Sequence, residues 1–126
     1  MVVAAVAGIV EAPGSRLQAS QIAKAMNELS WLQSWYVEQC DGRWEHSYGV
    51  QIGSLDNPGW SLDIDLAETT LEHLVRSRHF EERSENDWVS YEIKEGKFIG
   101  HGGPTNLDEI IGVFRRIWQT GVSTEG

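Results

Sequence analysis

The residues best suited to acid–base or metal chemistry fall in two short pairs. Glu45 and His46 are adjacent in the sequence, and Asp63 and Asp65 are two residues apart. Two carboxylates on one face of a strand can hold a divalent cation or divide acid and base roles between them. With His101 from farther along the chain, the two pairs would supply a small metal-dependent hydrolase, which is one hypothesis for function.

The spacing of the remaining candidates argues against that chemistry. If Glu45 and His46 lie in a strand, they point to opposite faces and would not converge on one metal ion without a bulge. The histidines show neither HxH nor HExxH spacing, and Cys40 is the only cysteine, which leaves no Cys-based zinc site. The glycine-rich stretch 100–104 lacks the Lys and Ser/Thr of a P-loop and favours a tight strand-to-helix passage. We therefore predict no catalytic residue, metal or other cofactor.

The aromatic and acidic residues of the same region are also suited to contact with a protein partner. The chain has six tryptophans, and most of such large rings should be buried. Trp44 and Trp60 bracket a predicted hairpin and could instead be anchors of an interface, where tryptophan is enriched. Asp63 and Asp65 fit either a solvated strand face or a face turned to a partner. The candidates for partner contact are Trp44, Glu45, His46, Asp56, Asn57, Trp60, Asp63 and Asp65.

Length and charge narrow the class of protein. The 126 residues carry a formal net charge of −9, so the clustered cations that bind nucleic acid are missing, and a basic protein is the expected partner. Residues 2–10 are apolar, but nine residues are too few to span a membrane and no Lys or Arg precedes them, so we predict a cytoplasmic protein without membrane association. We expect residues 1–25 to be an extension that is either poorly ordered or partly helical, 26–120 a single domain and 121–126 a tail.

Hydrophobic periodicity predicts the elements of that domain. Helical spacing runs from about Asn27 to Gln39, before the Asp41-Gly42 stop, and a weaker pattern covers 17–25. Alternation over 48–52 and 60–66, separated by an Asn-Pro-Gly turn, predicts an antiparallel hairpin. Residues 67–79 are expected to be a loop with one helical turn at most. Shorter strands are predicted at 80–83, 88–93 and 97–99.

The last element has the strongest pattern. Leu107, Ile110 and Phe114 begin an apolar stripe with helical spacing, and Asn106 with Glu109 three residues later forms a capping-box sequence. Gly121 is the predicted stop. The sequence thus predicts an α+β fold: an antiparallel β-meander of about five strands, flanked by an N-terminal and a C-terminal helix packed on one face.

Several ordered blocks of the sequence are similar to the Immunity protein 53 family of bacterial polymorphic toxin systems. The resemblance covers roughly 27–118, and the blocks that carry it are Trp31 to Tyr36, Cys40 to Gly42, Trp44 to Gly49, Leu55 to Trp60, Glu82 to Ser84, Asp87-Trp88, Gly102 to Pro104 and Asn106-Leu107. It implies a small cytoplasmic antidote that binds a cognate secreted toxin domain and blocks it without being an enzyme. A nuclease is one toxin class that an acidic inhibitor would suit. The oligomeric state stays open.

Overall fold

Residues 27–123 are described by the computed structural model, and they form an α+β fold in which two helices cover one side of a five-stranded antiparallel sheet. The helices are α1 (Glu28–Gln39), α2 (Trp44–Ser47) and α3 (Leu107–Ser123). The strands are β1 (Val50–Leu55), β2 (Gly59–Asp65), β3 (Arg76–Ser84), β4 (Asp87–Lys94) and β5 (Lys97–Gly102). The predicted fold class and both flanking helices are confirmed. The predicted features within 1–26 lie outside the described residues.

Local chemistry sets the ends of α1. The Asn27 side chain accepts a hydrogen bond from the Ser30 N–H at 2.7 Å, which caps the first turn. At the other end the Cys40 N–H donates to the carbonyls of Tyr36 and Val37, and Gly42 then takes a φ of +90°. That conformation favours glycine, so the chain can turn sharply into α2.

The strand order departs from a simple meander. The sheet runs β1-β2-β5-β4-β3, so residues 66–75 carry the chain from β2 to the far edge. Burial explains this order, because all nine residues of β3 are exposed whereas β5 buries Phe98, Gly100 and Gly102. A polar strand is stable at an edge, and a strand of apolar and small residues suits the centre.

Two glycines of β5 let α3 approach the sheet closely. A Cβ atom on Gly100 would lie 2.5 Å from Ile110 Cγ2, and one on Gly102 would lie 2.8 Å from Ile110 Cδ1. These glycines therefore act in strand-to-helix packing, as predicted for 100–104. The core beneath α3 includes Leu62, Ile64 and Phe98, all with no exposed surface.

Aromatic rings join α1 to α3. The Trp35 ring is 2% exposed, and its centroid lies 5.2 Å from that of Phe114 and 5.4 Å from that of Trp118. Across the same contact, the Arg115 guanidinium donates to a carboxylate oxygen of Glu28 at 3.2 Å. The two helices thus form one layer with a shared core.

Residues 44–47 form the short helix α2, which the sequence patterns do not predict, because the Asp41 carboxylate accepts the N–H groups of Arg43 and Trp44 and starts a helical turn. Three local predictions need correction. β3 begins at Arg76, four residues before the prediction. β5 continues to Gly102 instead of ending at residue 99. The stop predicted at Gly121 is wrong, since α3 continues through it to Ser123.

Candidate functional site: a bare sheet face with an acidic rim

One side of the sheet is left uncovered by the two helices. Residues 66–75 also pass on the helix side, where Leu71 is buried against α3 near Gly121. Strand alternation places a second set of side chains on the uncovered side, which we call the open face. Its members are Gln51, Gly53, Ser61, Asp63, Arg78, Phe80, Glu82, Trp88, Ser90, Glu92, Ile99 and His101.

An aromatic pair lies on the β3–β4 part of the open face. The Phe80 side chain is 53% exposed, and its ring centroid lies 6.3 Å from that of Trp88. The Arg78 guanidinium lies 5.9 Å from the Phe80 centroid, and its Nε donates to the buried Ser90 hydroxyl at 3.0 Å. Arg78 therefore links the Phe80 ring on β3 to Ser90 on β4. An exposed aromatic ring held in this way is typical of an interface anchor.

Carboxylates surround the end of the sheet next to this pair. The β1–β2 turn, the β3–β4 turn and the start of α3 meet at this end, because their strands run antiparallel in the observed register. We call these carboxylates the acidic rim. Its members are Asp56, Glu81, Glu82, Glu85, Asp87, Asp108 and Glu109. Negative charge is therefore concentrated at this end of the sheet.

A single cation organises part of the acidic rim. The Arg83 guanidinium donates to carboxylate oxygens of Asp87, Glu109 and Glu81. The pKa of Arg83 is raised by these hydrogen bonds, first by the one to Asp87, and the pKa of the Asp87 carboxyl is lowered, chiefly by Arg83. Asp87 consequently keeps its negative charge at a lower pH than an ordinary aspartate does.

Asn106 connects the acidic rim to the backbone. Its buried side-chain amide donates to Asp87 and Glu109 at 3.0 Å each, and its Oδ1 accepts the Trp88 N–H at 3.3 Å. Asn106 does precede α3, as predicted, and its backbone carbonyl accepts the first helical N–H, from Ile110. Its side chain also holds the β3–β4 turn against the helix, which the capping-box pattern does not indicate.

Four of the eight predicted contact residues lie on the open face or beside it. Asp63 is exposed in the middle of β2 on this face, and Asp56 and Asn57 are exposed in the β1–β2 turn. Asp65 has the same orientation as Asp63 but is half-buried. Its two carboxylate oxygens accept the Gly49 N–H at 2.9 Å and the Lys97 ammonium at 2.7 Å. Asp65 is thus engaged within the fold.

The other four lie elsewhere. Trp44 is 3% exposed, and its indole N–H donates to the Ala67 carbonyl at 2.9 Å, so its ring belongs to the core and is not presented to a partner. Trp60 lies on the helix side of β2, and its indole N–H donates to the Pro104 carbonyl. Glu45 and His46 lie in α2, at the end of the sheet opposite the acidic rim.

Glu45 has a structural function in its loop. Its two carboxylate oxygens accept the N–H groups of Asp41 and Gly42 at 3.0 and 2.9 Å. The pKa of the Glu45 carboxyl is lowered chiefly by a hydrogen bond from its own backbone N–H, and the hydrogen bonds from Asp41 and Gly42 lower it further. Glu45 therefore stabilises the turn between α1 and α2.

The geometry does not assemble the metal site considered above. Within residues 27–123, no three side chains of His, Cys, Asp or Glu are grouped so that they could hold a metal ion. A cavity of about 580 Å³ lies near α2 and is lined by Asp65, Glu72 and His73 among others. Asp65 is paired with Lys97 there. The hydrolase hypothesis receives no support from this arrangement.

The strongest features of the open face were missed in the sequence. Phe80 lies in a nine-residue strand, RSRHFEERS, that has no alternation of polar and apolar residues because both of its faces are exposed. The feature of the sequence that points to Phe80 is a single aromatic residue among charged ones, in a stretch close to segments predicted as strands. Trp88 is one of six tryptophans and belongs to the Asp87-Trp88 block, but the sequence does not pair it with Phe80. Its partner Phe80 becomes evident only when the β3–β4 register is known.

The fold and this surface define a small α+β domain with one bare sheet face bordered by carboxylates. The chain belongs to the Immunity protein 53 family, whose family model matches residues 29–119. This finding confirms the resemblance seen in the sequence and supports an immunity function. Searches of curated proteins and of solved structures gave no match. No helix within residues 27–123 is long and apolar enough to cross a membrane.

Proposed function

We propose that this chain neutralises a cognate toxin domain by binding it stoichiometrically through the open face and the acidic rim. The observation that carries the proposal is the exposed Phe80 ring, paired with Trp88 and bordered by exposed carboxylates. Aromatic rings supply apolar contact area at low entropic cost, and carboxylates at the border select a basic partner. Because the chain belongs to an immunity protein family, the partner that we propose is a toxin domain.

The contact surface keeps three residues of the sequence-based set. Asp63 supplies a carboxylate in the middle of the open face, where no Lys, Arg or His of the described residues lies within ion-pair distance of it. Asp56 and Asn57 supply polar contacts from the exposed β1–β2 turn. Phe80, Trp88 and Glu82 are added from the structure. Trp44 is left out because its ring is buried.

The toxin that best fits this surface is a nuclease. A nuclease binds phosphates through a groove of Lys and Arg, and carboxylates of an inhibitor can occupy the same cations. The net charge of −9 would also speed the encounter with such a groove at low salt. The proposed site of action is the cytoplasm of the producing cell, and no catalytic step by the chain itself is involved.

Co-expression tests this function directly. The full chain would be produced in cells together with the toxin domain encoded by the neighbouring gene, with an unrelated toxin domain as the control. Cells are expected to survive only with the cognate pair, and the two proteins should co-purify as a complex. Death of the cells, with both proteins soluble and folded, would contradict the proposal.

A further inference from the structure

A second surface of the molecule, on the helix side, has the opposite character from the acidic rim. It is a groove of about 400 Å³ between α1 and β1, and none of its eight lining residues is charged. Four of the molecule's exposed large hydrophobic residues border it: Val37 at 66% exposure, Leu29 at 49%, Ile52 at 41% and Tyr36 at 37%. Apolar side chains exposed together in this way mark a contact surface.

The backbone of β1 also favours contact with another strand. Among the described strands β1 pairs only with β2, so it is an edge of the sheet. The Asp65 N–H donates to the Gly49 carbonyl, and alternation along an antiparallel pair then points the N–H and C=O groups of Val50, Ile52 and Ser54 outward. Outward backbone groups of this kind can pair with another strand.

The two edges of the sheet are protected very differently. β3, at the far edge, carries charged side chains along most of its length, which discourages pairing with another strand. β1, with the sequence VQIGSL, has no charged residue and no proline. Val50 and Ile52 also face the helix side, so a strand that pairs with β1 would lie directly beside the exposed residues of α1.

We propose that this chain forms a homodimer in which the β1 edges of two copies pair antiparallel about a two-fold axis and the α1–β1 grooves meet. The lack of charge in the groove favours a second copy of the chain as its partner. Two copies that each carry a formal net charge of −9 meet with the least repulsion where both surfaces are uncharged, as the groove and β1 are. The groove holds no carboxylate, so it offers no electrostatic attraction to a basic partner. An uncharged edge strand can pair with the same strand of a second copy across a two-fold axis.

This dimer does not depend on the proposed immunity function. The groove lies on the helix side, and the toxin surface proposed above lies on the open face and its rim. Each copy in the dimer therefore keeps its own open face uncovered. Loss of dimerisation and loss of toxin binding can thus be measured separately, with variants that affect different sides of the sheet.

The test is the mass of the full chain in solution, measured by sedimentation over a range of concentrations. The expected mass is twice 14.1 kDa. Ile52→Lys should raise the Kd of the dimer about tenfold or more, because it places two like charges at the paired edge. Val37→Lys, on the exposed side of α1, should act in the same direction without entering the core. Val75→Lys is the matched control, because Val75 is 70% exposed and is not among the residues that line the groove.

Circular dichroism and thermal melting would show that each variant is folded. A full chain that stays monomeric at every concentration would overturn the proposal. Equal weakening by Val75→Lys and by the two groove variants would overturn it as well, since added charge alone would then explain the effect.

Discussion

Trp35→Ala is expected to lower the free energy of unfolding by about 3–5 kcal/mol, the range seen when a large buried aromatic side chain is truncated. The Trp35 ring is 2% exposed and contacts the rings of Phe114, Trp118 and Trp44, with centroid distances of 5.2, 5.4 and 6.0 Å. Its loss would open a cavity where α1, α2 and α3 meet. Urea denaturation followed by circular dichroism measures the change.

Two companion variants show whether packing is the cause. Trp35→Phe should cost less, because it keeps an aromatic ring and removes an indole N–H that is buried without a hydrogen-bond partner among the described residues. Phe80→Ala, on the open face, should change stability by less than about 1 kcal/mol. A loss of under about 1 kcal/mol for Trp35→Ala would show that the aromatic layer between the helices is not the main core.

The double variant Phe80→Ala with Glu82→Lys is expected to weaken toxin binding about 100-fold or more and to abolish protection of cells. Phe80 is the exposed aromatic anchor. Glu82 is exposed on the same face of β3, opposite Trp88 in the register. The variant removes apolar contact and also places a positive charge where a basic partner should bind. Calorimetric titration of the purified toxin domain measures the loss.

The matched control makes the same kinds of change elsewhere. Val75→Ala with Glu38→Lys truncates one exposed apolar side chain and reverses one exposed carboxylate, and it changes the net charge equally. Both residues lie away from the open face, so binding should stay within about threefold of the unchanged chain. If the control weakens binding as much as the double variant does, overall charge and not the open face determines recognition.

Much of the fold could be read from local patterns. α1 and the start of α3 were predicted because apolar residues recur with helical spacing behind good N-cap residues, Asn27 and Asn106. The β1–β2 hairpin was predicted because its two strands alternate around an Asn-Pro-Gly turn. The positions of β4 and β5 were also predicted, with ends a few residues short. These are features that neighbouring residues determine on their own.

What was missed depends on contacts between distant parts of the chain. α2 is held by hydrogen bonds to Asp41 that no periodicity reveals, and Gly121 continues α3 in close contact with Leu71 of the β2–β3 connection. β3 was predicted too short because an edge strand with both faces exposed needs no hydrophobic alternation. The order of the strands followed from burial of β5, which the sequence did not disclose.

The contact surface that we propose was predictable only in part, for a similar reason. Asp63 and the β1–β2 turn were identified because they are polar residues in a recognisable hairpin. Trp44 and Trp60 were assigned to the surface by residue type, but each indole N–H has a carbonyl partner within the fold. Phe80 joins Trp88 only through the pairing of β3 with β4. Residue type gave the chemistry of the surface, and topology decided which residues share a face.

We infer that this chain acts by occupying its toxin, one molecule for one. The most direct measurement is a titration of toxin-domain activity with the purified full chain, at a toxin concentration well above the Kd of the complex. Activity should fall linearly and reach zero at one chain per toxin domain, whether or not the chain is dimeric. Complete inactivation by a small fraction of one equivalent would reveal turnover by the chain and would contradict the claim, as would full toxin activity in excess chain.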